Sequence, residues 1–294
     1  MTLIEQFQTA LRGSPDRRRY LAEIQSAMAK QLPQSVRRAE ASAEGILVLV
    51  EYSPGSPSIE KRIWEFCESL HRALIVPLVL TDGAEGELYT KLFSFFPSQT
   101  AKRNTTSMMV DAGRMTGTEA FCIASDSPPP LYGLDSKSLH KQNAEAAELA
   151  NSRSSALGEL LQAAARVPSL PVTVMQALDA LEPLCNLRLT HAQWNALRRK
   201  HSSPTAFLEL LRPLLAHGSV STDLKNRFGE LLRAGFDFYE CASRRSVLMP
   251  ENAFRHIGVT GDLWAVVAVT GFHSEVVKRF FHDRNWAVYV RTVL

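Results

Sequence analysis

Two acidic residues follow apolar stretches that have the character of buried strands. Glu51 comes directly after the apolar run 46–50, and Asp82 comes two residues after the apolar run 74–80. In parallel α/β sheets the carboxyl ends of the strands form the edge where ligands bind. If these two strands are neighbours, the two carboxylates converge there. Their hard oxygen ligands suit Mg²⁺, which would polarise a phosphodiester.

More acidic residues follow Asp82, at Glu85 and Glu87, so oxygen ligands are dense in this segment. The alternative interpretation is structural, because acidic residues commonly end strands and begin loops. The sequence contains no Walker phosphate loop and no GxGxxG motif after a strand. A metal ion is therefore the only cofactor that these residues suggest.

Five short segments resemble the Toprim domains of nucleases and topoisomerases. The first three segments are similar to the first strand, the acid and the following helix of that family. The last two are similar to its second acidic patch. The segments are 47–51, 53–54, 59–61, 78–82 and 85–87. The resemblance implies Mg²⁺-dependent cleavage of DNA or RNA, with Glu51 as the acid/base and Asp82 and Glu85 as metal ligands. The candidate catalytic residues are then Glu51, Asp82 and Glu85, and the Glu51–Asp82 pair would hold the ion.

The positive charge is concentrated in the second half of the chain. Residues 1–135 contain 14 Lys and Arg against 16 Asp and Glu, whereas residues 136–294 contain 19 against 14. The segments 191–200 and 219–235 could form a helix-turn-helix-like pair that contacts phosphates. Its candidate nucleic-acid-binding residues are Arg198, Arg199, Lys200, Lys225 and Arg227. The alternative is a helical bundle with a basic rim.

The cysteines and the apolar runs indicate the class of protein. Cys67, Cys122, Cys185 and Cys241 are far apart, so no CxxC metal or redox spacing exists. We expect them to behave as small core residues, in keeping with a reducing cytoplasm. No apolar run approaches the ~20 residues that cross a bilayer. We therefore expect a cytoplasmic protein without membrane insertion.

The hydrophobic pattern predicts an α+β fold with two domains and a boundary near residue 135. Residues 1–135 read as two leading helices, a βαβ unit and a short hairpin at 108–125. In the βαβ unit, strands 46–51 and 74–80 flank a helix at 56–70. Strand 46–51 should be central, because it is apolar on both faces. Pro77 places strand 74–80 at an edge or a bulge, since proline cannot donate to the ladder.

Residues 136–294 read as a basic, mainly helical domain. The predicted helices are 142–165, 172–183, 191–200, 205–216 and 223–234. Gly218 and Gly235 stand where C-terminal caps are expected. The apolar stretches 263–269 and 286–293 fit either a strand or a buried helix, and the pattern does not choose between them.

These features lead to one main functional hypothesis and two alternatives. The main hypothesis is a non-catalytic interaction or adaptor component of a larger bacterial-type assembly, with other protein subunits as partners and no cofactor. The first alternative is a Toprim-like nuclease that uses Mg²⁺ on DNA or RNA. The second is a regulator that binds nucleic acid.

Overall fold

The computed structural model describes residues 43–52, 78–84, 131–260 and 264–293 of the 294-residue chain. Within these residues, five strands form one parallel sheet in the order β3-β2-β4-β1-β5. The strands are β1 Gly45–Tyr52, β2 Leu78–Ala84, β3 Leu131–Asp135, β4 Trp264–Thr270 and β5 Trp286–Val293. The remaining described residues are mostly helical, so the predicted mixed α+β fold class is confirmed.

The helices of the structure match the predicted 172–183 and 191–200 closely, whereas the predicted helices 142–165 and 205–216 are each divided into two. The helices are α1 Lys137–Ser152, α2 Ser155–Ala164, α3 Val172–Cys185, α4 His191–Lys200, α5 Pro204–Leu210, α6 Arg212–Leu215, α7 Thr222–Thr260 and α8 Gly271–His282. Local chemistry sets several of their starts. Thr190 forms a capping box with Gln193 at the start of α4, and the Ser203 hydroxyl accepts a hydrogen bond from the N–H of Ala206 at the start of α5.

Strand β1 lies inside the sheet, with β4 on one side and β5 on the other. All five residues from Ile46 to Val50 are fully buried, including Val48. The middle position of the sheet belongs to β4. The two ambiguous C-terminal stretches are thus both strands, and each pairs with β1.

The second predicted strand has different bounds and a different position. It runs over Leu78–Ala84 and lies between β3 and β4, so it is not an edge strand. Pro77 itself lies outside the described residues. The register shifts between Thr81 and Ala84, which lie beyond the predicted strand 74–80, so the bulge expected at Pro77 stays a prediction.

Helix α7 continues well beyond the C-terminal cap that was predicted at Gly235. It extends over 39 residues, to Thr260. Gly235 lies inside it because the helix passes close to the end of α3. A Cβ atom at Gly235 would stand 3.3 Å from the carbonyl oxygen of Leu184. The glycine therefore indicated close backbone packing rather than the end of a helix.

The chain divides into two compact units, and the division differs from the predicted one. Unit 1 comprises Met1–Ser136 and Ser246–Leu294, and unit 2 comprises Lys137–Arg245. The domains expected from the sequence were 1–135 and 136–294, whereas unit 1 also contains Ser246–Leu294. The reason is that β4 and β5 pair with β1 and so complete its sheet. The predicted leading helices, the helix at 56–70 and the hairpin at 108–125 lie outside the described residues.

Unit 1 has a core built between the sheet and two helices. Alternate residues of β1 and β4, such as Leu47 and Val267, pack with one stripe of α7 and with the inner face of α8. The stripe of α7 consists of Met249, Ala253 and Ile257, which are four residues apart. At the start of the sheet, Gly45 leaves room for the ring of Trp286, which a Cβ atom would approach to 2.6 Å.

Unit 2 has a core of aromatic rings around Trp194 of α4. The indole stacks on Tyr239 at 5.2 Å between ring centroids and meets Phe236 edge-on at 5.4 Å. The Tyr239 hydroxyl accepts a 2.6 Å hydrogen bond from the N–H of Leu189. Burial raises the pKa of the neighbouring Cys185 thiol to about 12. Cys185 and Cys241 are buried core residues as predicted, and Cys67 and Cys122 lie outside the described residues.

A residue with a left-handed backbone conformation follows the end of α3. Leu187 has φ 55°, and its N–H donates to the carbonyl oxygen of Leu184. The N–H of Arg188 donates to the carbonyl oxygen of Pro183 at 2.8 Å. These two bonds form a Schellman cap, in which glycine is the usual residue at the left-handed position.

We expect the substitution Leu187→Gly to raise the free energy of unfolding by about 0.5–1 kcal/mol. A left-handed conformation costs a residue with a Cβ atom about 1–2 kcal/mol, and glycine avoids this cost. Glycine also loses more backbone entropy on folding, which cancels part of the stabilisation. Urea unfolding followed by circular dichroism measures the change. Asn285→Gly is the control at φ 59° and should have a smaller effect, because asparagine tolerates this region. A loss of stability in Leu187→Gly would contradict this explanation.

Candidate functional site at the carboxyl edge of the sheet

Glu51 lies at the carboxyl end of β1, and hydroxyl groups from two other elements hold its side chain. The Ser274 hydroxyl, in the first turn of α8, donates to Oε1. The Thr292 hydroxyl on β5 donates to Oε2 at 3.2 Å. Glu51 is half-buried and Ser274 is buried. The carboxylate thus has a fixed position at the edge where ligand sites form in parallel sheets.

The order of the strands gives this edge a topological switch point. Among the described strands, β1 is followed in the chain by β2, which lies towards the β3 edge of the sheet. β4 is followed by β5, which lies at the opposite edge. Because β1 and β4 are neighbours, the switch point lies between their carboxyl ends. Glu51 pairs with Val269 of β4 in the register and so stands at this point. Open α/β sheets bind ligands at such positions.

The condition for convergence of Glu51 and Asp82 is not met. Asp82 is in β2, and β4 lies between β2 and β1, so the two residues belong to strands that are not neighbours. Adjacent strands are about 4.8 Å apart, which puts two strands' width, roughly 10 Å, between the two backbones. The carboxylate of Asp82 and all of Glu85 lie outside the part of the chain that the structure describes.

A third acidic residue, Asp135, lies at the same edge, at the carboxyl end of β3. It pairs with Ala84 in the register and is buried. Leu134, its neighbour, belongs to the core that faces α7 and α8, so Asp135 lies on the opposite face of the sheet. Glu51 follows the alternation of Leu47 and Leu49 and is on the same face as that core. The two acids therefore do not form one cluster.

A buried polar pair, Ser246 and His273, lies beside Ser274, the residue of α8 that contacts Glu51. The Ser246 hydroxyl and Nδ1 of His273 are 2.7 Å apart, and both side chains are buried. His273 directly precedes Ser274, so the first turn of α8 connects to α7 through one residue and to β1 through the next. Nearby, the side-chain amide of Asn252 on α7 donates to the carbonyl oxygen of Leu134 at 2.8 Å. These bonds fix α7 and α8 against the sheet.

The chemistry open to this site is limited by how its carboxylate is held. Hydroxyl donors contact both oxygens of Glu51, and each oxygen retains a further lone pair for a cation or a hydrogen-bond donor. Within residues 43–52, 78–84, 131–260 and 264–293, no three His, Cys, Asp or Glu residues are arranged to hold a metal ion. As described, the site supports a fixed acidic group rather than a complete metal centre.

Two of the five candidate nucleic-acid-binding residues are held in ion pairs. Arg198 pairs with Glu240 and lies 5.7 Å from the centre of the Trp194 ring. Arg227 pairs with both Glu159 and Asp223, at 2.8 and 2.7 Å. The hydrogen bond from Arg227 holds the pKa of the Glu159 carboxyl below its ordinary value. The ion pairs with Glu240 and Glu159 join helices within unit 2 and give both arginines a structural role.

The other three candidates have a different environment. Arg199 and Lys200 are exposed in the last turn of α4, where cations interact favourably with the helix dipole. Lys225 is half-buried in the first turns of α7. The helix pair that was expected at 191–200 and 219–235 is not a short helix-turn-helix, because α5 and α6 lie between them in the chain and α7 continues to Thr260.

Sequence reasoning missed the hydroxyl groups that hold Glu51. Ser274 and Thr292 are more than 200 residues from Glu51 in the chain, and each lies in or after a stretch whose secondary structure the pattern left open. One signal was present. The segment Thr270-Gly271 follows the apolar run 263–269 and is typical of a strand that turns into a helix. With that interpretation, Ser274 falls in the first turn at the carboxyl edge.

A second surface feature lies in unit 2, at the start of α3. Val172 and Met175 are three residues apart and therefore on the same side of the helix. They are 72% and 49% exposed, the two highest values among the large hydrophobic side chains of unit 2 in the described residues. Pro168, Ser169 and Pro171, which precede the helix, are exposed as well. We call Val172 and Met175 the α3 apolar pair.

The comparisons with known proteins give no relative for this chain. No protein-family model, no curated protein and no solved structure matches it. In the described parts of the chain, no helix combines the length and apolar character that a membrane crossing requires.

Proposed function

We propose that the protein is a non-catalytic, cytoplasmic interaction component of a larger protein assembly, and that the α3 apolar pair is part of its contact with another subunit. The observation that carries the proposal is the exposure of Val172 and Met175 on the same side of one helix. Methionine is enriched in protein interfaces, and the burial of exposed apolar side chains by a partner makes the free energy of association more favourable.

Two features of the described residues support this proposal. The acid of the candidate site, Glu51, is held by hydrogen bonds from Ser274 and Thr292. The buried thiol of Cys185 has a raised pKa, so it is protonated at neutral pH and is a poor nucleophile. The buried positions of Cys185 and Cys241 also fit a reducing compartment.

Affinity capture tests the proposal when it compares the full chain with a variant of the α3 apolar pair. The double variant Val172→Asp, Met175→Asp is suited to this test because both residues lie in the first turn of α3. Acidic residues are favourable at that end of a helix, and exposed side chains contribute little to the core. The variant should therefore fold normally while it loses the apolar contact.

Metal-dependent cleavage of nucleic acid is the second candidate function. The observation that favours it is the position of Glu51 at the switch point of a parallel sheet, with Asp82 in another strand of the same sheet. Under this hypothesis Mg²⁺ is the cofactor, Glu51, Asp82 and Glu85 are the active residues, and DNA or RNA is the substrate. Ala84 stands where the Toprim domains that this segment resembles have a second aspartate, two residues after Asp82.

Thermal melts with and without Mg²⁺ distinguish the two candidate functions. A metal site in the folded state predicts a gain of about 2.7 kcal/mol at a hundredfold excess of Mg²⁺ over its Kd, and Asp82→Asn should remove the gain. The interaction component predicts that millimolar Mg²⁺ or Mn²⁺ leaves the wild-type melt unchanged. We expect the unchanged melt and no cleavage of single- or double-stranded substrates. A shift that depends on Asp82 would favour the nuclease.

A further inference from the structure

We draw no further inference here: the strongest candidate, the cluster of Glu51, Ser274 and Thr292 beside the first turn of α8 at the carboxyl edge of the sheet, belongs to the site already described, and nothing else in the described residues points to a ligand there.

Discussion

The substitution Val48→Asp should abolish cooperative folding of unit 1. Val48 is fully buried in β1 and pairs with Val266 of β4 and Tyr289 of β5, so the new carboxylate would have no access to water. An uncompensated buried charge costs several kcal/mol, which is comparable with the total stability of a domain. Far-ultraviolet circular dichroism during urea unfolding measures the loss.

Val48→Ile is the matched control for this prediction. It keeps the β-branched, apolar character of the site and adds one methylene, which typically costs a packed core about 1–3 kcal/mol. We expect this variant to retain a cooperative transition at a lower urea concentration. If Val48→Asp unfolds at the same urea concentration as the wild type, the interior position of β1 is wrong.

The second large effect is expected in unit 2, from Trp194→Ala. The indole fills the space between Phe236 and Tyr239, and the alanine variant would leave a cavity lined by these rings. Removal of a buried tryptophan side chain typically costs about 3–5 kcal/mol through lost burial and the remaining cavity. The free energy of unfolding from urea titration provides the measurement.

Trp194→Phe separates the contribution of the cavity from that of the aromatic contacts. Phenylalanine retains a ring that can pack on Tyr239, so this variant should be clearly more stable than Trp194→Ala. The two aromatic contacts lie within Lys137–Arg245, which forms one compact unit. A loss below about 1 kcal/mol in Trp194→Ala would show that the indole is not the centre of this core.

Local signals were sufficient to predict most of the helices. Thr190 and Ser203 each precede a helix and cap it with their side chains, and such capping depends on residues only three positions away. The signal at Gly235 was misleading for the same reason. A glycine that ends a helix and one that permits close packing look alike in the sequence, and only the contact with Leu184 distinguishes them.

The arrangement of the sheet could not be predicted from local signals. β1 and β2 follow one another among the described strands, but β4, from nearly 200 residues later, lies between them. A strand that is buried on both faces has no alternation of polar and apolar residues to distinguish it from a buried helix, and β4 is such a strand. The expected meeting of Glu51 and Asp82 rested on the assumption that sequential strands are neighbours, which holds only about two-thirds of the time.

The contacts of Glu51 show the same limitation at the level of the site. The sequence identified the residue and its position at the end of a strand. Its partners Ser274 and Thr292 come from elements that only the non-local pairing of β4 and β5 brings to this edge. An acidic residue that the pattern marks as catalytic is thus also explained by hydrogen bonds within unit 1.

Affinity capture from cells that express the full chain tests the central claim most directly. The measurement is the amount of each co-purified protein, quantified by mass spectrometry, for the wild type, for Val172→Asp, Met175→Asp and for the control Val247→Asp. Val247 is 59% exposed on α7, so the control also replaces an exposed apolar side chain with an acid, but outside α3. We expect the double variant to lose at least one specific protein by about tenfold, equivalent to about 1.4 kcal/mol, while the control retains it. Equal recovery of every co-purified protein with the wild type and the double variant would contradict the role of the α3 apolar pair.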